Sequence, residues 1–489
     1  MNLLPIISGL LLTASFPPFS ISCLSLSGFV PLLFSIKDRS AKDSFRIGYI
    51  AGITHYLTLL YWIPYPITRY GSIPLYLSIA PYLLLCMYLS TFFAIFCWLC
   101  RLREEPAIIL YPSYWVVLEF IRSKILTGFP WCLLGYTQFK NIHIIQIADI
   151  TGIYGISWFI VMINVVIYHL AKKKMRIMDI AMAGIALLCI YGYGIYRLEQ
   201  PFKGKQIKAA IIQGNIDQSI KWDPYYQNKT IKTYMDLTRS CYKYKPSLIV
   251  WPETAVPFYF QDGGRLADII WNVPKESGAS LLFGSPAYMK TGKGFRYYNR
   301  AYLISCGHPL YFYDKVHLVP FGEYIPLRKI LFFLNRLAPA AGDFSPAHKI
   351  EPLKCDHISV GVMICFEAIF PEIARNHVRN GANLLVNISN DAWFGKTSAP
   401  YQHLAMSIFR AIENRRSLIR ATNTGISAFI DPYGRIIKRG GLYNRQALIS
   451  EVKLINQYMS FYTIYGDVLV YAAFLIIILI IVGGRLWQR

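Results

Sequence analysis

The chain has 489 residues, of which 54% are hydrophobic, 15% aromatic and only 16% charged, too apolar a mixture for an ordinary soluble enzyme. Its 50 Lys and Arg against 27 Asp and Glu leave a net charge of +23. That excess collects in short loops beside apolar runs and forms no basic stripe interleaved with aromatics, so membrane and anionic lipid are expected as partners and nucleic acid is not. Ten cysteines without framework spacing argue against a disulfide-built fold.

Met1-Asn-Leu-Leu lacks a positively charged start, and no A-x-A-like cleavage site follows, so the N-terminus reads as an uncleaved span. Apolar segments then run over roughly 3–20, 21–36, 47–65, 76–100, 106–122, 145–170, 178–197 and 463–484. Several approach the ~20 residues a helix needs to cross the hydrocarbon core. The first two are short and interrupted at Pro17, Pro18 and Gly28. Cys97 and Cys100 form a C-x-x-C inside an apolar run without redox context, and packing is the reading there.

Charge in the connections tests the count. Lys37, Arg39, Lys42 and Arg46 follow the second segment, and Arg101 and Arg103 the fourth. Lys172, Lys173, Lys174 and Arg176 follow the sixth, and Arg485 and Arg489 the eighth. With eight spans all four basic groups lie on one side, and positive loops stay in the cytoplasm. Both termini are then cytoplasmic. The expected organisation is a seven-helix transmembrane region over 1–200, an extracytoplasmic domain over 205–457 and a C-terminal transmembrane helix over 463–484.

One membrane-side stretch stands apart. Glu119 and Arg122 share a helix face at i, i+3 and lead into Thr127-Gly-Phe-Pro-Trp-Cys-Leu-Leu-Gly-Tyr136. A carboxylate near an apolar span is costly unless paired, so an ion pair with Arg122 is expected. The competing reading is that the aromatic, Gly/Pro-broken loop lies at the interface and helps to hold a lipid.

Beyond Lys205 the pattern becomes alternating strand and helix. Lys208–Gln213 and Ser247–Pro252 read as strands, with a polar helix over Tyr225–Tyr244 between them. Further strands are expected at 280–285, 297–306, 309–314, 358–364 and 383–388, and helices at 265–277, 370–380 and 401–415. Such alternation predicts a layered α/β domain. Residues 316–350 give mixed signals with several prolines and read as long loops.

Val360-Gly-Val-Met-Ile-Cys-Phe-Glu-Ala-Ile-Phe-Pro371 is a buried strand by composition, ending at Cys365, with Pro371 at the first turn of a helix. A thiol at a strand end is where α/β folds place reacting groups, although free cysteines are also common core hydrophobes. Two other strand ends carry reactive side chains, Glu253 in Trp251-Pro-Glu-Thr and Lys315 in Tyr313-Asp-Lys-Val. Brought together by the fold, the three form a coherent set. A thiol attacks only as thiolate, so it needs a base (Glu253) and a positive charge (Lys315) that also steadies an oxyanion.

Glu, Lys and Cys in this order, each ending a strand, resemble the carbon–nitrogen hydrolase (nitrilase) superfamily. More narrowly, the whole chain resembles the bacterial apolipoprotein N-acyltransferase family. The resemblance rests on Gln213-Gly-Asn-Ile-Asp-Gln-Ser-Ile-Lys-Trp222, Trp251-Pro-Glu-Thr-Ala255 and Lys315-Val-His-Leu-Val-Pro-Phe-Gly-Glu-Tyr-Ile-Pro326. It extends to Cys365-Phe-Glu367, Asn387-Ile-Ser-Asn-Asp-Ala-Trp-Phe-Gly395 and Thr127-Gly-Phe-Pro-Trp131.

The resemblance implies a polytopic bundle of about eight transmembrane helices carrying an extracytoplasmic nitrilase-like αββα sandwich, in the bacterial inner membrane. It implies a ping-pong reaction in which Cys365 takes an acyl chain from a phospholipid as a thioester. The amine of an S-diacylglyceryl cysteine at an apolipoprotein N-terminus then receives it. Glu253 becomes the base and Lys315 the oxyanion partner. Glu323 and Glu367 support the site, and Trp222, Trp393 and Phe366 contact substrate. The family usually has Tyr after the nucleophile; here Phe366 keeps the ring without the hydroxyl. A monomer without cofactor or metal is expected.

Both substrates are lipid-anchored, which explains the membrane half: a soluble site would have to extract acyl chains at ~0.8 kcal/mol per CH₂. Phe258, Tyr259 and Phe260 suit an interfacial rim or the core, and the 316–350 loops a lid against water. The alternative enzyme is a membrane-anchored amidase with the same Glu253, Lys315 and Cys365 and water as acceptor. A transporter or scaffold built on Glu119 is disfavoured, because the spans show no internal repeat. Cys365 is expected to stay unpaired although Cys241, Cys306 and Cys355 share its domain.

Overall fold

The computed structural model describes residues 3–71, 73–102, 107–173, 177–292, 294–307, 309–325 and 343–486, with side chains up to residue 480. The basic residues Arg103, Lys174, Arg176 and Arg489, the Arg485 side chain, and Pro326 with the rest of the 326–342 segment fall outside that description. The chain separates into two units: Met1–Pro64 with Leu75–Pro201 and Ile464–Arg489, and Tyr65–Pro74 with Phe202–Thr463.

The first unit is helical. Three of its helices, Leu75–Cys100, Ala148–Ala171 and Ile177–Glu199, are long and apolar enough to cross a membrane, while Leu4–Ala14, Ser22–Ile36 and Val468–Ile480 are apolar but shorter. Each of the eight expected apolar segments contains helix, in pieces where Pro or Gly interrupts it, as between Ser22–Leu26 and Val30–Ile36. The helix Ala41–Leu59 starts at Ser40, whose hydroxyl accepts from Asp43 N at 3.1 Å. Its Gly48 and Gly52, spaced as Gly-x-x-x-Gly, face the helix Leu75–Cys100. A Cβ on Gly48 would lie 2.5 Å from Phe93 O, and one on Gly52 2.8 Å from Ser90 Cα. Lipid supplies no hydrophobic drive between helices, so this backbone approach is what joins them.

Glu119 and Arg122 are both buried and feel each other's charge, but among the described residues no hydrogen bond joins them. Glu119 Oε1 accepts instead from Leu134 N at 2.7 Å, and Arg122 Nη1 donates to the Tyr56 hydroxyl. The 127–136 loop folds back over the helix end and brings an amide N–H to the carboxylate. The loop supplies that hydrogen bond, while Arg122 acts on the carboxylate only through its charge.

The second unit contains two six-stranded sheets. In chain order the first five strands are β1 Lys205–Gln213, β2 Leu248–Val250, β3 Ser280–Thr291, β4 Gly294–Ile304 and β5 Tyr311–Asp314. Then come β6 Leu353–Cys355, β7 Ile358–Ile364, β8 Leu384–Ser389, β9 Leu418–Thr422, β10 Ala428–Ile430, β11 Ile436–Arg439 and β12 Gln446–Leu454. The sheets run β12-β1-β2-β3-β4-β5 and β11-β10-β9-β8-β7-β6. Each has a parallel centre, in register at Ala210–Ile249–Leu281 in one and Val362–Val386–Ile419 in the other.

Alternation sorts the side chains. Ile207, Ala209, Ile211, Val250 and Leu282 meet Val360, Val362, Ile364, Val386 and Ile388 in the core between the sheets. Ala210, Ile212, Ile249, Leu281 and Phe283 face outward onto Ile231, Tyr234 and Met235 of the helix Pro224–Cys241 and onto Ala267 and Ile270 of Arg265–Trp271. Central strands buried on both faces read as continuous apolar runs, which is why they were legible. The helix Pro371–Arg379 begins at its proline and packs on the outer face of the second sheet, where a Cβ on Gly361 would stand 2.7 Å from His377 Cβ. The result is the expected helix–sheet–sheet–helix layering.

Five strands, β6 and β9 to β12, carry no sequence expectation. They are short, or polar on one face, and need a neighbour to define them: β12 buries Leu448, Val452 and Leu454 only by pairing antiparallel with β1. Tyr65–Pro74, which lies between two apolar segments in the sequence, packs with this unit.

Candidate active site

β2, β5 and β7 are each followed within three residues by one of the three reactive side chains, although β3 and β4 lie between β2 and β5 and β7 belongs to the other sheet. Glu253, Lys315 and Cys365 are 6%, 1% and 7% exposed, so bulk water is largely excluded. Lys315 Nζ stands 3.8 Å from Glu253 Oε1. Glu253 is oriented from two sides, accepting from Asn299 Nδ2 at 2.7 Å on Oε1 and from Asn390 N at 2.9 Å on Oε2. Glu323 holds the lysine at 2.8 Å and also accepts from Asn299 Nδ2 at 2.9 Å and Val319 N at 2.8 Å. The single Asn299 amide thus bridges both carboxylates.

Cys365 has φ +53°, left-handed backbone that non-glycine residues rarely adopt and that costs about 1–3 kcal/mol. Its carbonyl is held on the inner side of the turn by Asn387 Nδ2 at 3.3 Å and His403 Nε2 at 3.1 Å. Burial, the largest influence on His403, lowers its pKa; its Nε2 meets that carbonyl, and its Nδ1 lies 3.0 Å from Arg420 Nη2 and 3.2 Å from Asp391 Oδ1. Arg420 also donates to Asp391 Oδ2 at 2.7 Å. Burial works to raise the Asp391 pKa, but Arg420 outweighs it and holds the carboxyl below the usual range.

Glu367 supports the turn from the other side. Its Oε2 accepts from Ile364 N at 2.7 Å, and its Oε1 from Val316 N at 2.7 Å, Tyr313 Oη at 3.0 Å and His317 N at 3.2 Å. Burial pushes its pKa up to about 7, against those donors. Phe366 is buried between Phe370 and His317, with ring centroids 5.2 and 6.0 Å away.

The electrostatics hold the thiol protonated at rest. Burial, then the charge of Glu253, pushes the Cys365 thiol above its ordinary pKa, and Lys315 opposes them. For Lys315 burial works against the charge, but Glu323 and Glu253 outweigh it and keep the ammonium protonated. Cys365 forms no disulfide, and neither do Cys241, Cys306 and Cys355.

Trp222 and Trp393 are half exposed. Trp222 lines a cavity of about 770 Å³ together with Pro257, Phe258, Tyr259, Tyr297 and Phe344. Phe260, by contrast, is core, packed on Phe283. Trp393 lies edge-to-face on Tyr70 at 5.0 Å, and Tyr70 Oη donates to Ala392 O at 3.1 Å. A segment from between two membrane-type stretches therefore clamps the loop whose Asn390 orients Glu253.

Sequence reasoning gave no role to Asn299, Asn387, Asn390, Asp391, Lys221, His403 or Arg420. Asn387, Asn390, Asp391 and Lys221 fall inside motif runs, which was a usable signal. Asn299, His403 and Arg420 had none.

The family model described as Apolipoprotein N-acyltransferase N-terminal domain matches residues 8–166, and that described as Carbon-nitrogen hydrolase matches 208–457. An apolipoprotein N-acyltransferase of Geobacter metallireducens is 44% identical, covering 96% of this chain and 92% of the relative. One from Pseudomonas putida is 32% identical, covering 93% and 91%. Among solved structures, a carbon–nitrogen hydrolase from Helicobacter pylori aligns at 18% identity with a TM-score of 0.40, over 51% of this chain and 90% of that one.

Proposed function

The chain belongs to the apolipoprotein N-acyltransferase family and is an acyltransferase enzyme with a carbon–nitrogen hydrolase domain; from that premise we propose that Glu253, Lys315 and Cys365 carry its chemistry. The donor is a phospholipid, and the acceptor is the α-amine of an S-diacylglyceryl cysteine at the N-terminus of an apolipoprotein. Glu253 takes the thiol proton while Sγ attacks the ester carbonyl. Lys315 stabilises the oxyanion, the ester C–O bond breaks, and the proton passes from Glu253 to the departing lysophospholipid. The amine then attacks the thioester and gives its proton to Glu253, and as the C–S bond breaks Glu253 returns that proton to Sγ and restores the Cys365 thiol.

The observation that carries this reading is the buried set itself. A carboxylate 3.8 Å from a lysine, with a thiol on a left-handed turn beside them, suits an acyl-cysteine intermediate sheltered from water. The exposed Trp222 and Trp393 border the entry, Glu323 and Glu367 support the lysine and the turn, and Phe366 supports the turn from the core. No step requires a hydroxyl at position 366.

The membrane-associated arrangement proposed with it has eight spans in the bacterial inner membrane, both termini cytoplasmic and the 205–457 domain periplasmic. Its divisions are 1–200, 205–457 and 463–484, acting as a monomer. The basic loops beside the apolar segments support that orientation.

The test uses the full-length enzyme, a phospholipid with a labelled acyl chain, and no acceptor. Hydroxylamine-sensitive label on the Cys365 peptide, absent in Cys365→Ala, is expected, with transfer to a diacylglyceryl peptide as a stable amide. Release only as free fatty acid would instead indicate the amidase-type use of water.

A further inference from the structure

Lys221 lies in the Gln213–Trp222 run and is 1% exposed. Its Nζ donates to Thr254 Oγ1 at 2.7 Å and to Glu253 O at 3.2 Å, which leaves the third ammonium N–H without a hydrogen-bond acceptor among the described residues. Thr254 has φ +45°, so the lysine grips a strained turn immediately after the proposed base. Two hydrogen bonds of this kind would ordinarily fall to a neutral side chain, because burying an ammonium is expensive unless negative charge faces it.

The charges around the thiol explain why a cation sits here. Cys365 is faced by Glu253, Lys315, Lys221 and Asp391. Asp391 is matched by Arg420 at 2.7 Å, and burial disfavours a charge on His403, which touches both. Glu253 and Glu323 carry two negative charges against the one positive charge of Lys315, before Glu367 contributes any. Without another cation the pocket is net negative, and thiolate or oxyanion formation adds to the repulsion in a low dielectric. Burial lowers the Lys221 pKa to about 8, and the charges of Glu253 and Cys365 act to retain its proton.

We propose that Lys221 is a second cation of the active centre, a positioning residue that fixes the Glu253–Thr254 turn and compensates the negative charge developing at Cys365. This rests on Cys365 being the nucleophile. With Lys221 present, the proton moves from Sγ to Glu253 within a nearly neutral cluster, and no counter-ion has to enter a closed site.

The experiment compares wild type with Lys221→Met in the full-length enzyme, measuring the pH profile of Cys365 alkylation by iodoacetamide, the rate of thioester formation from labelled phospholipid, and Tm. Below about pH 8, where Lys221 holds its proton, alkylation of Lys221→Met is expected to be about tenfold slower than that of wild type, and thioester formation to fall about tenfold or more. Lys221→Arg should keep wild-type alkylation in that range even if its thioester formation slows. A lower Tm with an unchanged alkylation profile would make Lys221 a structural strut and overturn the proposal, as would wild-type thioester formation in Lys221→Met. Should the Met variant not accumulate folded, Lys221→Gln, which keeps a donor for Thr254 and loses the charge, carries the same comparison. Absence of thioester in the wild type itself would defeat the nucleophile assignment, a separable result.

Discussion

Glu367 Oε1 accepts the backbone N–H of Val316 at 2.7 Å, so a residue two places beyond the thiol holds the residue that follows the active-site lysine. The same carboxylate grips Ile364 N at 2.7 Å on the near side of the turn. One side chain therefore sets the spacing of two strand ends that are 50 residues apart (365 − 315).

That linkage predicts a split between variants. Glu367→Gln keeps one acceptor oxygen and should slow thioester formation modestly, about tenfold. Glu367→Ala strands several buried N–H donors, each costing about 1–3 kcal/mol, and should lower Tm as well as rate. Equal Tm values for the two would show that these hydrogen bonds do not carry the turn.

The thiol titration gives a pH test with a worked sign. Burial and Glu253 raise the Cys365 pKa, so the thiolate is scarce at neutral pH and appears only as pH rises through that elevated value. Alkylation of the resting enzyme should keep accelerating above the range of an ordinary cysteine. Glu253→Gln removes a negative neighbour and should lower the midpoint, whereas Lys315→Met removes a positive one and should raise it. Shifts of the opposite sign in iodoacetamide kinetics would contradict the charge arrangement.

The oxyanion role proposed for Lys315 has its own magnitude. Lys315→Met should reduce thioester formation by about 10²–10³, the usual effect of deleting such a donor. Glu323→Gln leaves the lysine in place but weakens its orientation, and an intermediate loss is expected in single-turnover measurements. A Glu323→Gln enzyme slower than Lys315→Met would require a direct role for the carboxylate.

Tyr70 tests the clamp on the 391–395 loop. Tyr70→Phe removes one hydrogen bond to Ala392 O and should cost no more than a few-fold in rate. Tyr70→Ala also removes the ring against Trp393 and should make the loop more sensitive to limited proteolysis. Identical digestion patterns would show that the loop is held elsewhere.

In the helical unit, Gly48→Leu should lower Tm and membrane accumulation sharply, because even a Cβ there would meet Phe93 O at 2.5 Å. Gly184, which has nothing within 4 Å of an added Cβ, is the control and should tolerate Ala.

The amino-acid order alone determined the composition of each layer. Apolar-rich runs at 360–364 and 384–388 read as central strands, because a strand covered on both faces is mostly apolar and a polar residue there, such as Asn387, needs a buried partner, and Cys365 read as the end of its strand. The motif runs identified Glu253, Lys315 and Cys365 before any geometry was known. Only tertiary structure decided what surrounds them. Asn299 comes from a hairpin strand, His403 from the helix Ala399–Asn414 and Arg420 from β9, each isolated in sequence, with a partner distant along the chain. It also separated Glu119 from Arg122, which local spacing had paired, because Leu134 N returned to claim the carboxylate. Periodicity reports the face a residue occupies; the partner of a buried polar group depends on which distant segment supplies its complementary donor or charge.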